Sequence, residues 1–510
     1  GKILYIKGFF KKLFIVLVWV VIVVGMYRCS AYLSDFEEDT ADKAEESGPE
    51  ENKEDTKPIK PNSKDPVHDA LALDGQVRVL IMNQGYQSIY HTELVIACSE
   101  EMTIDQDGKI SMVPSGSEYV LTRKNFEGIG RICITGKNQG RLQLKNLGRN
   151  SSAQYRGKLE CFSSAEGIVV INELPVEEYL YSVVPSEMPS AYPEEALKAQ
   201  AISARTYTYF HKKSYAYPEW EAHMDDSTAF QVYMNCEETP SAVRAVNDTK
   251  NQVLTYDNAV VESFYYSTSS GYNGGAAVWN DAASAADAYL IESGNELFAA
   301  NSEEGEQAYR QYIDNGNEAD VEYHEAWYRW IYRRTLDDNA VRKMLQKLYA
   351  LSKTQPQNVR IRSKYLSSDE LPNEKGICDI RILSRRKSGM AAGIMIETEH
   401  FRVSVMTQHG IRQALGCVQD TITRKDGSSY TMGDLLPSAY FYIEKIYDKN
   451  GEKGDTLKQI IIHGAGYGHG CGMSQNGAKG LAERGLTAAE ILAYYYNGEI
   501  KAVDALKTAG

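Results

Sequence analysis

Short runs rich in β-branched and apolar residues dominate the chain between residues 77 and about 170. Residues 77–82, 93–98, 132–135 and 167–172 each predict a strand, and Gly-, Asn- and Asp-containing turns separate them. The pattern changes near Leu174. Pro193, followed by Glu194 and Glu195, marks a helix start, because proline fits the first turn and acids favour the positive dipole end. The helix is predicted to run to about Phe210 and is rich in Ala, which lets another backbone approach closely. Lys198 and Arg205 fall on one of its faces. Strands are predicted at 252–256 and 260–267, a charged helical stretch at 295–352, and further strands from Val359, over 380–405 and at 459–462. A glycine-rich loop and a closing helix, from near Thr487 to Tyr496, end the pattern. The mixture predicts an α+β fold: a mixed β-rich body with one long Ala-rich helix and helical insertions.

The N-terminus adds a second region. Lys2, Lys7, Lys11 and Lys12 precede an apolar run over 13–27, and Arg28 closes it. The run is short for a span of about 20 residues, but Phe9 and Phe10 extend it if Lys11 and Lys12 snorkel. Residues 26–30 make a poor cleavage or lipoprotein site, so an uncleaved anchor is the leading reading, ahead of a cleaved signal or a buried helix. The lysines place the body outside the cytoplasm. The expected organisation is a cytoplasmic tail and transmembrane anchor at 1–30, a disordered acidic linker at 31–70, and one long region at 71–500. That region divides into a β-rich part, 71–172, and a catalytic part, 173–500.

Composition narrows the function. The net charge is −14, and residues 31–66, with twelve Asp/Glu and five Lys, supply about half of it. The acidic balance argues against a nucleic-acid partner. It is compatible with a polysaccharide, whose recognition by aromatic stacking suits the 35 Tyr and five Trp. The eight cysteines show no metal-ligand spacing, and an external location permits disulfides without saying which pair.

Two stretches carry candidate chemistry. In Val183-Val184-Pro185-Ser186-Glu187-Met188-Pro189 a carboxylate lies between two prolines in what reads as a stiff apolar loop. An apolar setting favours the neutral carboxyl that a general acid needs; a solvated loop Glu or a cap is the bland alternative. Most glycosidases use two carboxylates, and the nearest second candidate is Asp225-Asp226, which equally suits a turn. One Glu suffices if the substrate supplies its own nucleophile, as the C6 hydroxyl of a muramyl sugar can. The other stretch, from His463 to Ala478, holds six glycines, which allow positive φ and close ligand approach. A phosphate loop, a metal site at His463 and His469, a Ser474/His469 nucleophilic pair and a tight structural turn are all open at this point; the Ser lacks an elbow motif.

The stretch from Leu174 to Pro189, continued by Ala196-Leu197-Lys198-Ala199-Gln200-Ala201-Ile202-Ser203-Ala204-Arg205-Thr206-Tyr207, closely resembles the stage II sporulation protein D family, which includes amidase-enhancer relatives. The stretches from Gly466 to Ala478 and from Ile491 to Gly498 resemble the family's C-terminal signature and its end. Tyr155-Arg156-Gly157, Gln231-Val232-Tyr233, Trp279, Tyr289-Leu290 and the stretch Ile411 to Gly416 are weaker landmarks, so the resemblance spans roughly 77 to 500. It implies a lytic transglycosylase that cleaves the MurNAc-GlcNAc bond of denuded peptidoglycan strands and leaves 1,6-anhydro ends, with Glu187 as catalytic acid/base. It also implies substrate-binding roles for Lys198, Gln200, Arg205, Tyr289, His469, Ser474 and Gln475. The implied partners are glycan strands, the membrane and a peptide-stripping amidase. Some members bind zinc through Cys and His before the Gln-Val-Tyr landmark. This chain has Asp225, Ala229 and Phe230 there, with His223 nearby, so no metal or other cofactor is expected. Two other classes stay in view: a non-catalytic enhancer of an N-acetylmuramoyl-L-alanine amidase, and a glycan-binding module.

Overall fold

The computed structural model describes residues 74–149, 153–279, 287–365, 370–448 and 455–507. The expected anchor (1–30) and acidic linker (31–70) lie outside them. Among the described residues no helix is long and apolar enough to cross a membrane, and no disulfide joins two cysteines.

The first part is β-rich, as its patterning predicts. Strands β1 (Gln76–Leu80), β2 (Glu93–Cys98), β3 (Met102–Gln106), β4 (Lys109–Val113), β5 (Glu118–Thr122), β6 (Ile132–Gly136), β7 (Leu142–Leu144), β8 (Lys158–Ser163) and β9 (Ile168–Pro175) follow in order. Alternation along β2, with Leu94, Ile96 and Cys98 buried, turns one face inward. By contrast β9 is buried on both faces from Ile168 to Asn172, consistent with its unbroken apolar run. Six of these strands form an antiparallel sheet in the order β1-β9-β8-β6-β3-β4; β2 pairs separately between β5 and β7.

Next come α1 (Val176–Glu187) and α2 (Glu194–His211). The α1 residues Val176, Tyr179, Leu180, Val183 and Val184 recur at helical spacing and are at most 1% exposed. In α2 nearly every side chain from Ala196 to Tyr209 is buried, so the helix runs through the core, with small Ala, Ser and Thr side chains facing its neighbours. The two-residue β10 (Met224–Asp225) adds in parallel to β1. Then α3 (Pro240–Asp248), β11 (Gln252–Tyr256), β12 (Ala259–Val260) and β13 (Tyr265–Tyr266) complete the surroundings of α2.

The stretch predicted as helical at 295–352 contains two helices, α4 (Glu303–Asn315) and α5 (Asp338–Thr354), with β14 (Trp330–Thr335) between them. Trp330, Tyr332 and Arg334 alternate inward along β14, a period of two inside a charged helical context. Strands β15 (Val359–Ser363), β16 (Asp379–Arg385), β17 (Ala391–Glu397) and β18 (Phe401–Met406) make a four-stranded antiparallel sheet in the order β15-β18-β17-β16. After α6 (Gln408–Leu415), strands β19 (Thr421–Arg424), β20 (Ser429–Thr431), β21 (Phe441–Asp448) and β22 (Thr456–Gly464) join β14 in a five-stranded sheet. Strands β14 to β22 with α5 and α6 share a second hydrophobic core, separate from the one around α1 and α2, to which α4 contributes Tyr309 and Ile313. The chain then returns to the first core through β23 (Met473–Ser474), α7 (Gln475–Glu483), α8 (Ala488–Tyr495) and β24 (Glu499–Ala502). Here β23 pairs in parallel with β13, and β24 pairs with β11.

Candidate functional site

Glu187 is the last residue of α1 rather than part of a loop. The physical reason is that the two prolines act differently. Pro185 sits inside the last turn, where it removes a single backbone donor. Pro189 disfavours helical geometry at Met188, which caps the helix in an extended conformation (φ −137°, ψ 133°). The carboxyl is thereby fixed at a helix end, with Glu187 only 3% exposed. Its Oε1 accepts the Val232 N–H at 2.7 Å, and its backbone carbonyl accepts the Gln475 side-chain amide at 2.8 Å. Three tyrosines face it. Burial pushes the Tyr265 phenol well above its ordinary range, and the neighbouring Glu187 carboxyl, within hydrogen-bonding reach, adds to the effect. Tyr179 and Tyr207 are raised by burial too, and both also feel Glu187 and Asp225.

The glycine-rich loop approaches the same place. Gly466, Gly468, Gly470 and Gly472 alternate with other residues and all have φ between 74° and 110°. A Cβ on Gly472 would lie 1.9 Å from the Phe264 carbonyl oxygen, so both conformation and space demand glycine there. His469 is 3% exposed. Its Nδ1 accepts the Cys471 N–H at 3.1 Å, which leaves Nε2 to carry the proton and donate to the Tyr265 carbonyl at 3.1 Å. Ser474 caps α7, its Oγ accepting from Gly477 N at 3.0 Å and Ser269 N at 3.2 Å. His463 stacks on Tyr442 with ring centroids 4.6 Å apart, and its Nε2 lies 3.2 Å from Glu444. Among the described residues no group of three His, Cys, Asp or Glu could hold a metal ion.

The remaining predicted residues divide into two groups. Gln200 and Gln475 belong with Glu187: Gln200 is fully buried and accepts the Gln475 amide at 3.3 Å. Lys198 and Arg205, expected beside Glu187, contact other residues. Lys198 pairs with Glu194 at 2.7 Å, Glu195 at 3.2 Å and Asp248 at 3.6 Å. Arg205 is 0% exposed and forks onto Glu177, with both contacts at 2.8 Å. Glu177 lies in the first turn of α1, the opposite end of that helix from Glu187. Tyr289 is also internal, 5% exposed, its hydroxyl donating to the Glu262 carbonyl at 2.8 Å.

Asp225 and Asp226 are both buried. Asp225 ends strand β10, and its carboxyl accepts from the Tyr217 hydroxyl at 2.6 Å and from Ser227 N at 2.7 Å. Asp226 takes the Met82 N–H at 3.0 Å and pairs with Arg149 at 2.7 Å, and burial pushes its carboxyl up to about 6. Two residues of the neighbourhood carry no sequence signal. Tyr265 is one of 35 tyrosines, and Glu322 lies among several acids between Glu318 and Glu325. Yet Glu322 is 3% exposed beside Ser474 and Ser269, and burial raises its carboxyl.

Residues 164–256, which contain α1, α2 and Val232, match the family model described as stage II sporulation protein. An uncharacterised protein of Brachyspira hyodysenteriae is 25% identical over 418 residues, covering 81% of this chain and 86% of its own length. Stage II sporulation protein D of Bacillus subtilis is 26% identical over 352 residues, 66% of this chain and 77% of that protein. The amidase enhancer of Bacillus subtilis is 28% identical over 329 residues, 62% of this chain but 39% of that protein.

Proposed function

We propose that this chain, whose residues 164–256 match the stage II sporulation protein family model and which is similar to stage II sporulation protein D of Bacillus subtilis, is a lytic transglycosylase of denuded peptidoglycan strands, with Glu187 as general acid and base. The observation that carries the reading is the placement of Glu187. It is a single carboxyl at a helix end, held by the Val232 N–H and by Gln475, where the two longest motifs of the chain meet. Such a dry setting directs a proton to a bound substrate rather than to water. The neutral carboxyl protonates the glycosidic oxygen as the C1–O bond of MurNAc breaks and GlcNAc leaves with a free hydroxyl. The resulting carboxylate takes the proton of the MurNAc C6 hydroxyl as O6 bonds to C1. The sugar becomes a 1,6-anhydro ring and Glu187 regains its proton, so one carboxyl closes the cycle without a second.

The likeness to an amidase enhancer favours one second reading, in which the chain binds glycan and stimulates an amidase. Purified protein separates the two. The first reading expects soluble glycan fragments from denuded strands without any added enzyme, and their loss in Glu187→Gln. No fragments from denuded strands, together with faster peptide release from intact peptidoglycan when the chain is added to an amidase, overturns the first and supports the second. In both, residues 1–30 anchor the chain and the described body lies outside the cytoplasm.

A further inference from the structure

The sheet β15-β18-β17-β16 belongs to the second core, and its two faces differ in kind. Val359, Ile380, Ile394, Ile396, Val403 and Val405 fill the inner face and are at most 1% exposed. The period of two sends the charged positions outward. These are Arg360 and Arg362 on β15, Arg402 on β18, Glu397 on β17, and Asp379 and Arg381 on β16. Asp379 is held by Lys445 at 2.6 Å and stands 3.7 Å from Arg381. Glu397 is shared by Arg381 at 2.5 Å, Lys364 at 3.2 Å and Arg402 at 3.5 Å. Among the described residues no carboxylate pairs with Arg360 or Arg362.

The surplus of positive charge sits at one edge. Strand β15 is the outer strand, and Arg362 lies directly opposite Arg402 on β18, with Arg360 two residues along the same face. Like charges opposite each other weaken a sheet. All three arginines are exposed, so no buried contact offsets the repulsion. A local rule broken without a gain in folding is the mark of a functional surface. Tyr365, just beyond β15, is 66% exposed and adds an aromatic ring to the same edge. The whole chain carries −14, so this patch runs against the general charge and forms a local attractor for a polyanion.

We propose that the edge formed by Arg360, Arg362 and Arg402 docks denuded glycan strands through their muramyl carboxylates, and so sets a preference for strands already stripped of peptide; this rests on the glycan reading above. Stripping hydrolyses the amide between the lactyl group of MurNAc and the stem peptide. One water is consumed, the peptide leaves with a free amine, and MurNAc keeps a lactyl carboxylate. Each stripped MurNAc thereby gains an anion at a place where an amide stood. A guanidinium takes a carboxylate in a two-pronged hydrogen bond that an ammonium does not reproduce. An aromatic ring beside the arginines suits a charged sugar better than a lipid headgroup. No bond of the strand changes at this sheet, which lies in a core apart from that of α1 and serves affinity alone.

The test uses the full chain in the Glu187→Gln background, so that bound strands stay uncut. Denuded strands are compared with the same strands after methyl esterification, which removes the charge and keeps the sugars. Exposed pairs are weak singly, so Arg360, Arg362 and Arg402 are changed to Gln together. At about 50 mM salt the triple variant should bind denuded strands about 5- to 30-fold more weakly than its parent. Esterified strands should show a similar loss on the parent, and the two losses should not add. At about 0.5 M salt, screening should close the gap. Arg362→Lys should weaken binding measurably although it keeps the charge. Thermal midpoints confirm folding, and the esterified strands test the charge on the parent whatever the variant does. Equal binding of free and esterified strands, or a triple variant that binds as its parent does, overturns the proposal. Anionic phosphatidylglycerol vesicles that bind the arginine edge as tightly as the strands overturn it too, by assigning the face to a membrane. A native chain that docks strands this way yet releases no 1,6-anhydro ends fails the acid/base reading alone, so the two failures are distinguishable.

Discussion

Replacing Arg205 with Met tests whether that residue binds substrate or holds the fold. The guanidinium is 0% exposed. It donates to both Glu177 oxygens at 2.8 Å, to Thr249 Oγ1 at 3.3 Å, to the Gln252 carbonyl at 3.2 Å and to the Val246 carbonyl at 3.0 Å. It thus ties α2 to the start of α1, the end of α3 and the start of β11. Methionine fills similar space but leaves the Glu177 carboxylate, whose side chain is 20% exposed, without its cation. Removing one partner of a buried pair costs about 3–5 kcal/mol. With an unfolding entropy of about 2.1 cal/mol/K per residue over roughly 430 folded residues, that lowers Tm by about 3–6 °C. Glu177→Gln in the Arg205→Met background should recover part of the loss, a coupling of about 1–3 kcal/mol in a double-mutant cycle. Scanning fluorimetry and denaturant melts measure both. An Arg205→Met protein with unchanged Tm and a raised KM for glycan would refute this reasoning and restore Arg205 to the substrate.

Further outcomes follow from other contacts. Gly472→Ala should cost more than about 2 kcal/mol, because a left-handed residue with a Cβ is strained and φ is 78° with the Phe264 oxygen 1.9 Å from that Cβ. Gly485→Ala, with φ 90° and open space around it, should cost only about 1–2 kcal/mol in the same melts. Gln475→Ala removes the amide bound to the Glu187 carbonyl and should cost about 1–3 kcal/mol, with a fall in kcat as the end of α1 loosens. His223 accepts the Arg78 N–H at Nδ1, and burial, then Lys212 and Arg78, lower it from 6.5 to about 3. Below pH 6.5 the unfolded chain binds a proton that the fold refuses, so this contribution is complete above pH 6.5 and lost as pH falls toward 3. His223→Asn keeps an acceptor for Arg78 and should flatten stability against pH in that window.

The strands of the first part and α2 are legible because local patterning and tertiary burial agree there. Pro193 opens α2, and the apolar run at 167–172 becomes β9, buried on both faces. The α1 helix is obscured by its two prolines, although the spacing of Val176, Tyr179, Leu180, Val183 and Val184 is helical. Strand β14 is hidden because its Trp330, Tyr332 and Arg334 alternation is short and set among charged helices. Glu187 stands out through its motif, but its partners do not. Val232 lies 45 residues away and Gln475 lies 288 away, separations that only the fold brings together. Spacing places Arg205 and Lys198 on one face of α2 but says nothing of what that face meets, which for Arg205 is Glu177.

The central claim is that Glu187 cuts glycan by giving and retaking one proton. The most direct measurement is mass spectrometry of products released from denuded glycan strands by the purified protein and by Glu187→Gln, with the fold of both checked by melting. The account predicts fragments ending in 1,6-anhydroMurNAc from the native protein and none from the variant. Fragments with reducing MurNAc ends, or anhydro products undiminished in Glu187→Gln, would contradict it.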